Sequence, residues 1–192
     1  MGREFELKFA ATAQIHQAVE EKYGDFQEIT METTYFDTPD GALAARRVTL
    51  RQRMENGICV CTVKTPLPQG GKGEWELQWQ DASTMVEKLC QIGAPRELLA
   101  WTAPGIEPIC GARFVRKAKT IDCPGGSVEL ALDRGILLGG GRQIPLCELE
   151  VELKSGDDTV AIDFAAQIAA EFDLKPENLS KFRRAQLLSK GE

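Results

Sequence analysis

Charged side chains recur two residues apart along this chain, and that spacing defines the chemistry it can carry. Glu4, Glu6 and Lys8 alternate with Phe5, Leu7 and Phe9, and Arg51 and Arg53 alternate with Leu50 and Gln52. Glu74 and Glu76 alternate with Trp75 and Leu77, while Glu148, Glu150 and Glu152 alternate with Leu149, Val151 and Leu153. Lys64, Arg116 and the pair Glu129 and Asp133 sit on comparable alternating runs. Residues two apart in an extended strand share a face, so each run gathers charge on one side and apolar groups on the other. Carboxylates about 7 Å apart on one face repel unless cations intervene. A dry interior cannot hold them unpaired either. Two arrangements fit: an ordinary solvated face, or a sheet curled so that the charges line a water-filled tunnel. Clustered carboxylates suit Mg²⁺ or Mn²⁺, and clustered Arg and Lys suit phosphate oxygens.

The elements that must position these residues are mostly strands. Residues 3–10 alternate strictly, and 32–37 are rich in β-branched and aromatic residues ahead of the turn Asp37-Thr38-Pro39-Asp40-Gly41. Asn56-Gly57 separates two alternating runs, the strongest short hairpin signal. After a Pro- and Gly-rich loop over 65–73 comes another alternating run, 73–80. Three further strands are expected over 112–122, 127–133 and 144–155, split by Pro124-Gly125-Gly126 and Gly139-Gly140-Gly141. Helical spacing marks 12–23, with Thr12 as N-cap, then 82–101 with a break at Gly93-Ala94-Pro95, then 157–173, and a short helix after Ser180. About eight or more strands with short connections make an α+β fold of antiparallel neighbours in a single domain over 1–192.

Composition narrows the function. The 192 residues hold 23 Lys+Arg and 29 Asp+Glu, and a net charge of −6 argues against nucleic acid as a partner. His16 is the single histidine, which excludes an HExxH helix or a His-rich zinc cluster and leaves oxygen ligands for any metal. The six cysteines form no C-x-x-C pair. With no secretory signal and no apolar run near the roughly 18–20 residues of a membrane span, the expectation is a cytoplasmic protein with reduced cysteines.

The ordered set of motifs resembles the CYTH superfamily, the triphosphate tunnel metalloenzymes. Glu4-Phe5-Glu6-Leu7-Lys8 resembles its E-x-E-x-K signature, Leu50-Arg51-Gln52-Arg53 its L-R-x-R strand, and Thr62-Val63-Lys64 its T-x-K strand. Glu74, Arg116, then Glu129 and Asp133 follow in order. Residues 147–153 resemble the E-x-E-x-E strand, and Ser180-Lys181 the terminal S-K. The bacterial inorganic triphosphatase branch is the nearest likeness. Its members often carry a helical CHAD domain, which these residues lack. The resemblance implies an eight-stranded antiparallel β-barrel with surrounding helices, binding a triphosphate and a divalent metal, Mg²⁺ or Mn²⁺. It implies hydrolysis of inorganic triphosphate to pyrophosphate and phosphate. Thiamine triphosphatase, adenylyl cyclase or a non-catalytic polyphosphate-binding module are the alternatives. The partner is then a small-molecule triphosphate, with no nucleic acid or membrane, in a monomer or homodimer.

Residue roles follow from that reading. Glu4, Glu6, Glu150 and Glu152 are assigned to the metal, with Glu148 and Asp133 as further metal ligands and Glu129 a weaker acidic companion. Lys8, Arg51, Arg53, Lys64, Arg116 and Lys181 are assigned to phosphate oxygens. Glu74 and Lys8 are assigned to the catalytic step, with Glu76 able to take the part of Glu74. Phe114 departs from the family, which often has a basic residue there. Arg113, Lys117 and Lys119 fall on the opposite parity. His16 is expected to be exposed, and Cys59, Cys61, Trp75 and Trp79 to pack in the core.

Overall fold

The computed structural model describes residues 2–67 and 71–191, with side chains from Phe5 onward. Its strands, among the described residues, are β1 (Gly2–Glu4), β2 (Glu6–Ala10), β3 (Gln27–Asp37), β4 (Thr49–Glu55), β5 (Ile58–Pro66), β6 (Lys72–Gln78), β7 (Glu107–Cys123), β8 (Gly126–Gly139), β9 (Arg142–Ser155) and β10 (Lys175–Pro176). The helices are α1 (Ala13–Tyr23), α2 (Ala42–Ala45), α3 (Met85–Gln91), α4 (Glu97–Trp101), α5 (Asp158–Glu171) and α6 (Lys181–Lys190).

Local chemistry sets the turns and caps. Asn56 and Gly57 take φ of 48° and 87°, the left-handed pair that a two-residue hairpin between β4 and β5 requires. The Asn56 Oδ1 also accepts from Thr30 N at 2.9 Å, which pins the hairpin tip to β3. Thr12, Asp157 and Ser180 cap α1, α5 and α6 through their side-chain oxygens. Gly135 has no room for a Cβ, which would lie 2.1 Å from the Arg113 carbonyl oxygen. This close approach of β7 and β8 sits two residues from Asp133.

All strands join one antiparallel sheet in the order β1-β6-β5-β4-β3-β7-β8-β9-β2-β10. The sequence pointed to about eight or more strands and the family resemblance to eight; ten are described. The N-terminal strand is divided at Phe5, and Lys175–Pro176 adds a short edge pair that no alternation signals. The two N-terminal pieces are consecutive in the chain yet pair at opposite ends of the order: β1 lies on β6 and β2 on β9.

Helices cover the apolar face in two places. One core cluster packs Val128, Leu130, Leu149 and Val151 against Val160, Phe164 and Ile168 of α5 and Val19 of α1. A second packs Leu50, Cys61, Val63 and Trp75 against Met85 and Leu89 of α3 and Leu43 of α2. A third cluster lies on the other face. Met31, Phe114 and Leu146 share the parity of the charged residues, and Ala185 of α6 packs on them. Along one strand face, apolar residues thus give way to charge: Phe114 precedes Arg116 by two, and Leu146 precedes Glu148 by two. Helix α6 fills the apolar end of that face.

His16 is a correction to the sequence reading. It is buried, and its Nε2 lies 3.1 Å from the Glu148 carbonyl oxygen, to which it donates. The buried stripe of α1 runs through His16 and Val19.

Candidate active site

The charged face encloses a cavity of about 540 Å³. Strands β2 to β9 and the first turn of α6 contribute to its wall, which carries eight Lys or Arg and seven Glu side chains among the described residues. Lys8, Arg51, Arg53, Lys64, Arg116 and Lys181 all lie on it, as do Glu6, Glu74, Glu76, Glu129, Glu150 and Glu152. Asp133 and Glu148 do not. Both are fully buried beneath the wall. Glu4 stands opposite Lys72 in the β1–β6 ladder, and its side chain lies outside the described residues.

One row of the ladder carries acid on three adjacent strands, with Glu6 opposite Glu152 and Glu152 opposite Glu129. Like charges directly across a sheet are destabilising. Lys154 offsets part of this at 3.0 Å from Glu152 and 3.7 Å from Glu129, and Lys8 sits 3.1 Å from Glu6. Burial works against the Lys8 charge, but Glu6, with Glu150 and Glu148 behind it, prevails and raises the Lys8 pKa. An all-oxygen row facing a cavity suits a hard divalent cation.

Behind this row lies a compact ion cluster. Arg116 forks onto Asp133 at 2.8 and 2.7 Å and also reaches Glu150. Lys181 Nζ lies 2.7 Å from Asp133 and 2.8 Å from Glu150, touches Glu148, and stands 5.3 Å from the centre of the Phe114 ring. Arg184 holds the other Glu148 oxygen. Asp133, Glu148 and Glu150 converge closely enough to share an ion, with one oxygen of each within 4.8 Å of the others. Here the cationic partners are Arg116, Lys181 and Arg184. Burial pushes the Glu148 carboxyl up to about 7, against the pull of Lys181. Burial also opposes ionisation of Glu150, but Lys181 and Arg116 prevail and hold it well below the usual carboxylate range. Lys181 is raised in turn: burial disfavours its charge, and Glu150, Asp133 and Glu148 more than restore it.

The opposite wall is looser. Arg51 Nη2 is 3.6 Å from Glu74 and 3.9 Å from Glu76, and Lys64 is 3.5 Å from Glu74. Thr62 donates to Glu76 at 3.0 Å. Arg53 reaches Glu55 at 3.1 Å and donates to Thr33 Oγ1 at 3.3 Å. Burial and then the neighbouring Arg51 lower the Arg53 pKa. The buried Arg51 Nε has no partner. Crowded guanidiniums with an unpaired N–H suit an anion, because a buried donor without an acceptor is costly.

Some positions at the cavity and its buried cluster escaped sequence reasoning. Lys72 and Lys154 line the cavity, and each shares parity with acids that were identified, so the same rule could have found them. Arg184 lies three residues from Lys181 on one face of α6. Tyr35 and Phe182 also line the cavity, with ring centres 5.1 Å apart. Arg113, Lys117 and Lys119 take the outer parity, paired with Glu32, Glu20 and the Tyr23 carbonyl.

The CYTH domain model matches residues 2–185. The chain is 29% identical to an inorganic triphosphatase of Haemophilus influenzae over 98% of its own length and 55% of the relative's. It therefore spans about half the length of that curated relative. Among solved structures, a Hippeastrum adenylyl-cyclase candidate with a dominant triphosphatase activity superposes at a TM-score of 0.70, with 19% identity over 100% of this chain and 97% of that one. A Pyrococcus horikoshii protein superposes at 0.65, with 22% identity over 97% and 99%. At these identities the structural likeness speaks to the fold. No helix among the described residues is long and apolar enough to cross a membrane.

Proposed function

The chain belongs to the CYTH domain family, and on that premise we propose that it hydrolyses inorganic triphosphate to pyrophosphate and phosphate with a divalent metal. The observation that carries this reading is the meeting of both signs of charge on one cavity wall. The 29% identity to an inorganic triphosphatase supports the same substrate. We read the cavity as a tunnel closed by the N-terminal strand, since β1 pairs with β6 while the adjoining β2 pairs with β9. Six unpaired cysteines suit a reducing, cytoplasmic setting.

Arg51, Arg53 and Lys64 bind the triphosphate on the looser wall and neutralise charge as it shifts to the leaving group. Lys8, between Glu6 and Glu150, donates to a phosphate oxygen near the acidic row. Glu74, flanked by Arg51 and Lys64, accepts a hydrogen bond from the attacking water and orients it in line with the terminal phosphorus. Glu6, Glu150 and Glu152 are the residues that would hold Mg²⁺ or Mn²⁺, which supplies charge stabilisation and polarises water.

A second reading is an organic triphosphate. Phe182, half-buried on the wall and packed on the buried Tyr35, would be the aromatic face for a thiamine or adenine ring. Phosphate release from inorganic triphosphate, thiamine triphosphate and ATP, with and without each metal, ranks these readings. Metal-dependent release fastest from inorganic triphosphate is expected. No release with any divalent metal favours the binding module instead.

A further inference from the structure

Glu148 is gripped by two cations of one helix face. Lys181 takes Oε1, and Arg184, three residues on, takes Oε2. Glu148 is buried and off the cavity wall. Lys181 has three N–H donors, and Asp133, Glu148 and Glu150 surround it. At its centre the cluster sets three carboxylates, Asp133, Glu148 and Glu150, against three cations, Arg116, Lys181 and Arg184, while Arg116 and Arg184 also reach Glu129 and Glu177 at its edge. Of this centre, only Glu150, Arg116 and Lys181 reach the cavity.

Arg184 holds Glu148 from off the cavity wall. Its Nη1 reaches Glu177 at 3.3 Å, and its buried Nε has no partner. The guanidinium is therefore held by its two carboxylates more than by its own hydrogen-bonding needs. Without it, Glu148 would have Lys181 as its sole cation among the contacts described, and the ammonium would be drawn inward, away from the wall.

We propose that Arg184 is a positioning residue: it neutralises Glu148 from behind, so that Lys181 stays at the cavity wall beside Glu150. Glu148 is then part of this latch and not a metal ligand. The inference rests on the cavity being a triphosphate site.

Four variants test it: Arg184→Gln, Arg184→Lys, Glu148→Gln and the double Glu148→Gln/Arg184→Gln. Inorganic triphosphate affinity is measured by calorimetry without metal, Mn²⁺ affinity by electron paramagnetic resonance without triphosphate, and steady-state kinetics with both. Arg184→Gln is expected to weaken triphosphate binding about tenfold and raise KM with kcat held within about threefold. Arg184→Lys stays within about threefold of wild type, and so does the double variant, whose cluster is again balanced. Glu148→Gln leaves Mn²⁺ affinity within about twofold of wild type. Should Arg184→Gln not fold, the balanced double variant carries the test. A folded double variant that has lost triphosphate binding overturns the proposal, as does unchanged binding in Arg184→Gln or a Glu148→Gln protein that loses Mn²⁺. Wild-type protein that binds no triphosphate overturns the reading of the cavity itself, and this inference with it.

Discussion

Replacing Lys181 by Met removes the cation on which three buried carboxylates converge. Lys181 Nζ sits 2.7 Å from Asp133 and 2.8 Å from Glu150 and also touches Glu148, and none of these side chains is more than 9% exposed. At an effective dielectric of about 20, unit charges some 3 Å apart attract by roughly 5 kcal/mol. Desolvation takes back much of that, and removing one partner of a buried pair costs about 3–5 kcal/mol. The variant leaves three carboxylates with Arg116 and Arg184, one negative charge too many. Proton uptake is the cheapest relief, and Glu148 is the group to take it: burial already pushes its carboxyl up to about 7 from an ordinary 4.5. Losing Lys181, which pulls that value down, sends it higher. The sign then follows. Between 4.5 and the raised folded value, the folded state holds a proton that the unfolded state has released, so stability falls as pH rises through this window. Urea unfolding of Lys181→Met is expected to show a loss of about 3–5 kcal/mol at pH 8, smaller by about 1–2 kcal/mol at pH 5.5. A loss under about 1 kcal/mol at pH 8, or a larger loss at pH 5.5, refutes the picture of a charge-balanced buried cluster.

Glu6→Gln and Glu152→Gln each remove a carboxylate from the three-strand acidic row, and Mn²⁺ titration should show affinity weakened about tenfold in either. Arg51→Ala takes away a guanidinium with a buried unpaired N–H, and kcat/KM for inorganic triphosphate should fall about ten- to a hundredfold; Arg113→Ala, on the outer face beside Glu32, should stay within about twofold. The Glu150 carboxyl is held well below the ordinary 4.5, so its contribution to stability is present above that pH and is lost as pH falls through the lower folded value. Thermal melts should therefore show a smaller acid-side loss in Glu150→Gln than in wild type.

Parity was the legible part of this chain. The rule that residues two apart share a face brought Arg51 and Arg53, Glu150 and Glu152, and Lys64 to the walls of one cavity, because the ladder registers of β4, β5 and β9 keep that parity along these residues. What parity cannot resolve is depth. Glu148 and Glu150 are indistinguishable by spacing, yet one is buried behind the wall and the other lines the cavity. The difference comes from α6, which arrives from the far end of the chain and covers the apolar end of the inner face with Ala185 packed on Phe114 and Leu146. Phe114, which departs from the family pattern, is part of the same arrangement: its ring lies under the Lys181 ammonium. His16 was misplaced for a related reason, since helical periodicity defines a stripe but leaves its rotation about the axis to the packing of α1 on β9.

The near balance of the wall, eight cationic against seven acidic side chains among the described residues, bears on which ligand it receives. A receptor for a bare polyanion gains from every added Lys or Arg and loses with every carboxylate, because like charges in a confined space repel. The aligned Glu6, Glu152 and Glu129 would then be a steady cost. For a triphosphate that arrives with a divalent cation the same row becomes an attractive surface, and the cations on the looser wall face the phosphates. Ion contacts near 2.7–2.8 Å tie Lys181 to Asp133 and Glu150 in the buried cluster, whereas Arg51 on the cavity wall stands 3.6–3.9 Å from Glu74 and Glu76. Close pairs are costly to separate and loose ones are not. On the proposed reading, substrate phosphates would replace the Glu74 and Glu76 contacts of Arg51 at low cost, while Asp133 and Glu148 keep their buried cations. That asymmetry favours a metal-assisted hydrolase over a passive polyphosphate binder, and it predicts that triphosphate and Mn²⁺ strengthen each other's binding by the same factor, as linkage demands. Calorimetric titration of each in the presence of the other measures that factor, and a value of one would leave the acidic row without a part in substrate binding.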